Sequence, residues 1–154
     1  MIFERDSKAV MAAVSGWRDA GLTVRVVRGR KMRTVEQLFD EVAAALQFPD
    51  YFGENWAAFD ECLADMDWLP VNNGVAIAVL QPAEVLADAP DVELAVLVSV
   101  ITHAAETYAE PISSGEWWDR PEVPFHVVLH ACPGESDDVI RRWSAAGATV
   151  VPFK

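Results

Sequence analysis

A chain of 154 residues that is 52% hydrophobic, with six Trp and seven Phe, can bury one real core, which excludes intrinsic disorder. Its net charge of −12 excludes direct binding to nucleic-acid phosphates and favours a cationic partner. No apolar run approaches the roughly 18 residues that a membrane span needs. The opening MIFERDSKAV carries Glu4 and Asp6 and lacks a signal peptide's apolar stretch, so a cytoplasmic location is expected.

The charge is unevenly distributed. Residues 1–33 hold eight basic side chains against three acidic ones. From Thr34 to Asp119 there are seventeen Asp and Glu and not one Lys or Arg, whereas residues 120–154 hold four of each sign. Ordinary surfaces intersperse the two signs, so an 86-residue stretch without a cation implies an acidic face. Such a face attracts a basic protein and speeds the encounter.

In chain order, residues 7–20 place Val10, Met11, Val14 and Trp17 at helical intervals, with Gly21 as the stop. TVRVVRG at 23–29 reads as a strand. Thr34, followed by Gln37, has the form of a capping box and opens a helix through VEQLFDEVAAALQF that Pro49 closes. The segment PDYFGEN leads, by a bend at Gly53 and an N-cap at Asn55, into a helix running to about Met66. Trp56, Phe59, Leu63 and Met66 fall on one face of that helix, with Cys62 beside them. Ala57, Asp60, Glu61, Ala64 and Asp65 fall on the other.

Asn72-Asn73-Gly74 turns into VAIAVL at 75–80, an apolar run typical of a strand buried on both faces. An amphipathic helix is predicted from about Asp91 to Tyr108. A Pro-, Gly- and Ser-containing loop at 110–124 follows, and at least one of its Trp117 and Trp118 is expected in the core. FHVVLH at 125–130 is a second buried strand, SDDVIRRWSAAGA a helix capped by Ser136, and TVVPF an edge strand that tolerates Pro152. Strands alternating with helices predict an α/β fold: a small, mostly parallel three- to four-stranded sheet flanked by helices, in one domain over 1–154.

Catalytic signatures are absent, with no GxGxxG, GxxxxGK[ST], HExxH or GxSxG. His126, His130 and Cys132 share one strand parity and could meet a metal or form a nucleophile–base pair, but no third orienting group is evident. His103 lies mid-helix. Cys62 and Cys132 read as two buried thiols of a reducing compartment. No cofactor is expected.

Between Thr34 and Pro70 the residues Tyr51-Phe52-Gly53-Glu54-Asn55-Trp56, then Ala58-Phe59 and Asp60-Glu61-Cys62-Leu63, carry a resemblance. The stretch resembles the barstar family, intracellular inhibitors of secreted guanyl-specific ribonucleases, over roughly residues 23–131. Residues 1–22 would then be an extra N-terminal helix and 132–154 an extra helix and strand. The resemblance implies a three-stranded parallel sheet and an inhibitory surface made by the second helix and its lead segment. Tyr51, Gly53 and Asn55 match the binding segment, and Glu61 stands where the family often has the aspartate that enters the nuclease's phosphate site. The family's other helix aspartate falls at Ala57, while Asp60 and Met66 replace aromatics of the founding member. The expected partner-binding residues are therefore Tyr51, Gly53, Asn55, Ala57, Asp60, Glu61, Ala64 and Asp65. Tyr51 has the alternative of a partly buried core aromatic, and Glu61 that of an ordinary exposed acid.

The expected function is non-enzymatic inhibition of a ribonuclease toxin by a protein that is monomeric when free. The alternatives are a binding module of the same fold for a non-nuclease toxin or regulatory partner, and a small hydrolase or metal enzyme using His126, His130 and Cys132.

Overall fold

The computed structural model describes residues 1–4, 7–71 and 73–152. Its centre is three parallel strands, β2 (Thr23–Arg28), β3 (Val75–Leu80) and β4 (Phe125–His130). Thr23 pairs with Val75 and Val75 with Phe125, so the three strands start level and end level. Two short strands extend the sheet past β4: β1 (Ile2–Glu4) beside it and β5 (Val151–Pro152) at the edge. The order is β2-β3-β4-β1-β5, and every pair is parallel. The α/β architecture matches expectation. Strand β1 was not foreseen, because three residues are too few for alternation to show.

Side-chain alternation divides the sheet into two unequal faces. Val27, Ile77, Val79, Val127 and Leu129 face a large core shared by α2 (Val35–Leu46), α3 (Trp56–Asp65), α4 (Asp91–Ala109) and α5 (Ser136–Ala145). Val24, Ala76 and Ala78 face only α1 (Ser7–Asp19), through its Val10 and Val14. The continuous apolar run of β3 is explained by this double cover. Trp143 of α5 is the largest fully buried side chain, and its indole N–H donates to the Pro82 carbonyl at 3.2 Å.

Several local expectations are corrected. Met11 of α1 is 56% exposed, because Val10, Val14 and Trp17 are the α1 side chains turned to the strands beneath. Helix α2 stops at Leu46 and not at Pro49, since Gln47 adopts a left-handed conformation with φ 54° and turns the chain first. Ser136 is the first residue of α5 and is buried; the cap position belongs to Glu135, which makes no side-chain cap. Cys132 is exposed just past β4, although Cys62 is buried, and both thiols are free. Asn72 of the expected turn lies outside the described residues, while Gly74 does take a positive φ of 124°.

Helix α4 is long and apolar enough, by length and composition, to cross a membrane, contrary to the sequence expectation. Here it lies along α3 and β4 with Leu94, Leu97, Val98, Ala104 and Tyr108 buried. Its apolarity serves two neighbours at once.

Candidate partner-binding surface

Helix α3 owes its start to one side chain. The Asn55 amide oxygen accepts the Ala58 N–H at 2.9 Å, and its amide nitrogen donates to the Gly53 carbonyl at 3.1 Å. The same residue thus caps the helix and pins the lead segment to it. A Cβ at Gly53 would stand 3.1 Å from that Asn55 amide nitrogen, a tight approach that would press on the cap. The left-handed residue of the bend is Glu54, with φ 50°.

Beneath the segment lies an aromatic bed. Phe52 meets Phe39 and Phe48 edge-on at 5.7 and 5.1 Å, and Phe39 continues to Trp56 and Phe59. Such edge-to-face pairs are each worth about 0.5–1.5 kcal/mol beyond burial. With Phe52 turned in, its neighbour Tyr51 is turned out and is 75% exposed. The alternative of Tyr51 as a core aromatic is thereby removed.

The outer face of α3 comes out largely as its spacing required. Ala57, Glu61 and Asp65 are exposed and Ala64 is half-buried, while Phe59, Cys62, Leu63 and Met66 are buried. Asp60 departs from this pattern. It leans toward α4, where its Oδ1 lies 2.7 Å from His103 Nδ1. Hydrogen bonding to Asp60 and then its charge raise the His103 imidazole above its ordinary value, with Glu106 adding to the effect. Asp60 therefore serves the α3–α4 seam first.

The acids gather toward the C-terminal end of α3, not its start. That end carries the negative pole of the helix and has no basic residue in its last turn. Asp65 there and Asp67 just beyond sit in each other's field: desolvation and then Asp67 raise the Asp65 carboxyl. The Tyr51 hydroxyl is raised by desolvation and then by Cys62, Asp67 and Asp65, so it feels the field of the same carboxylates. Carboxylates at a helix C-terminus destabilise it by a few tenths of a kcal/mol each. Their presence is local cost without local return.

The chain's own cations do not relieve this cluster. Arg28 forks onto Glu41 of α2 at 2.8 and 3.2 Å, and Arg33 holds Asp88 at 2.7 Å and pairs with Glu84. Among the described residues, no Lys or Arg pairs with Glu61, Asp65 or Asp67. Arg28 and Arg33 are thus engaged with Glu41, Glu84 and Asp88 and not with the acids of α3.

The rival chemistry does not assemble. His126 stacks on Trp17 of α1 at 6.3 Å, on the thinly covered sheet face, and Cys132 lies outside the strand. Among the described residues no group of three or more His, Cys, Asp or Glu could hold a metal ion.

Trp117 and Trp118 overturn the expectation of a core role. They are 89% and 51% exposed and pack edge-on against each other at 5.4 Å. Sequence reasoning placed His103 on its helix but missed its pairing with Asp60, since the α3–α4 contact is long-range.

A three-stranded parallel core, helices on one main face and an outward acidic helix face define a small α/β module. The family described as Barstar (barnase inhibitor) matches residues 22–130, and the chain belongs to that family. The match leaves α5 and β5, and nearly all of the segment before β2, outside it. No curated protein matches the chain. Among solved structures it is similar to a chain in "Structure of Drosophila ORC bound to GC-rich DNA and Cdc6", at 15% identity and TM-score 0.48. A second, "Structure of Drosophila ORC bound to AT-rich DNA and Cdc6", stands at 13% and 0.47. Each match covers 99% of this chain and 47% of that one, so this chain spans about half their length. These likenesses are too distant to carry an argument about function.

Proposed function

We propose that the protein is a non-enzymatic inhibitor that occludes the cationic active site of a ribonuclease, one to one, in the reducing cytoplasm. The observation that carries this reading is the unneutralised group of Glu61 and Asp65 beside outward Tyr51, at the negative pole of α3. A nuclease lines its site with Arg and Lys to hold substrate phosphate. The Glu61 carboxylate takes the phosphate's place through charge-assisted hydrogen bonds, and Tyr51 supplies apolar area beside it. No bond is made or broken, and inhibition is exclusion. Ala57 and Ala64 keep the helix surface low enough for a groove to close over it.

Barnase, the nuclease in the family's description, is the first probe. Wild-type protein should inhibit it, and Glu61→Arg should weaken binding by about tenfold to hundredfold, the loss of one charged hydrogen bond. Unchanged inhibition by a folded Glu61→Arg variant discards the site. A second reading, the same face aimed at another basic partner such as a non-nuclease toxin, is favoured by Ala57 in place of a family aspartate and by the engagement of Asp60 with His103. Failure of the wild type against barnase would turn the search to that partner, beginning with the product of the neighbouring gene.

A further inference from the structure

The loop between α4 and β4 is built to hold two indoles in water. Ile112 and Arg120 pair across it as an antiparallel bridge, with backbone bonds of 2.8 and 3.1 Å. Inside the bridge the Asp119 carboxylate accepts the N–H groups of Ser114 and Gly115 at 2.9 and 2.8 Å. At its root the Arg120 guanidinium lies 5.1 Å over the Tyr108 ring and donates to the carbonyls of Thr107, Glu110 and Pro121. A loop so fully bonded presents Trp117 and Trp118 in a fixed place, so little entropy would be lost when they are covered.

Two exposed indoles packed on each other are unfavourable in water without a use. Their surroundings narrow the use. Glu116 beside them in the chain, and Glu110 and Glu122 at the two ends of the loop, are exposed, and no Lys or Arg other than the engaged Arg120 lies in the loop. Acidic residues beside indole faces suit Arg and Lys side chains, which both the ring quadrupole and the carboxylates attract. The same charge repels anionic lipid, nucleic acid and a second copy of this chain.

The loop is also tied to α3. Tyr108, which carries Arg120 on its ring, donates its hydroxyl to the Asp65 carbonyl at 2.8 Å. We infer that the Trp117–Trp118 loop is a second contact for the same basic partner, its indoles receiving Arg or Lys side chains beside the pocket that Glu61 enters. This inference rests on the proposed inhibitory reading for the identity of the partner. It rests on the loop alone for the chemistry bound.

Two arms separate these dependencies. In the first, hexa-arginine is titrated into the full chain while the indole N–H signals are followed by NMR, with Trp117 and Trp118 assigned by single Trp→Phe variants. Both signals should move in the wild type and in Glu61→Arg alike; signals that stay still overturn the cation-binding chemistry. In the second, the W117A/W118A variant should bind barnase about tenfold more weakly than wild type, with an unchanged circular dichroism spectrum. Equal affinity, where Glu61→Arg does lose binding, overturns the second contact and leaves the inhibitory reading in place. Should barnase not bind the wild type, the ribonuclease reading falls and the hexa-arginine arm alone decides the loop. A wild-type dimer in sedimentation that W117A/W118A dissolves would overturn the inference in favour of self-association.

Discussion

His103 sits where two demands meet, since its ring steadies the α3–α4 seam while its charge offsets Asp60. Its pKa is raised in the fold by the hydrogen bond and charge of Asp60. The stability it contributes is therefore complete below the ordinary histidine value of about 6.5 and is lost as pH rises through the raised one. Replacing His103 by Ala should flatten the stability curve in that window, as checked by urea unfolding at successive pH values. A slope unchanged by the substitution would mean that Asp60 and His103 do not share a proton equilibrium. The same titration uncovers negative charge on α3, so affinity of the proposed surface for a basic partner should rise through the same window.

At the same scale, Asn55 shows what one family motif residue does for the local structure. It caps α3 through the Ala58 N–H and holds the Gly53 carbonyl, so it shapes the surface before it touches anything. Asn55→Ala should cost about 1 kcal/mol of stability, the usual loss of such a cap. It should also weaken partner binding by loosening Tyr51. Thermal unfolding and titration on the same samples would read both effects, and a loss of affinity with no loss of stability would make Asn55 a direct contact instead.

Among elements, the helices and the three central strands were legible because each carries a full period of apolar residues or a cap written in adjacent positions. Thr34 with Gln37 is the clearest case: the Gln37 N–H reaches the Thr34 hydroxyl and the Gln37 amide returns to the Thr34 N–H, both at 3.3 Å. What stayed hidden depends on partners distant in sequence. Strand β1 exists through its pairing with β4 and β5, which three residues cannot announce. The exposure of Trp117 and Trp118 depends on an Arg120 anchor across the loop, and two adjacent tryptophans read more naturally as core. The candidate surface was legible for Tyr51, Ala57 and Glu61, whose direction follows from helix phase and from Phe52 pointing inward. It was not legible for Asp60, because only the approach of α4 turns that carboxylate aside.

Helix α5 lies outside the family match yet contributes the largest buried side chain, so it is part of the core and not an ornament on it. Trp143→Ala should destabilise the chain by about 3–5 kcal/mol, the range for large-to-small changes at aromatic core sites. Denaturant unfolding would test this, and a loss under about 1 kcal/mol would mean that α5 is only loosely docked.

At the scale of the whole molecule, the charge pattern becomes a spatial one. Arg28 and Arg33 neutralise Glu41, Glu84 and Asp88, while the C-terminal half of α3 and the Trp117–Trp118 loop keep their acids unopposed. A patch of unpaired acids orients a basic partner before contact, which raises the association rate more than it slows dissociation. The field behind that orientation is screened within about 8 Å at physiological ionic strength and about 3 Å at 1 M. Stopped-flow association with the partner should therefore slow by about tenfold or more from low salt to 1 M, within the span that steering supplies. Dissociation, governed by the covered carboxylates and indoles, should change much less. An association rate indifferent to salt would mean that the cation-free stretch serves solubility alone and that recognition lies in shape.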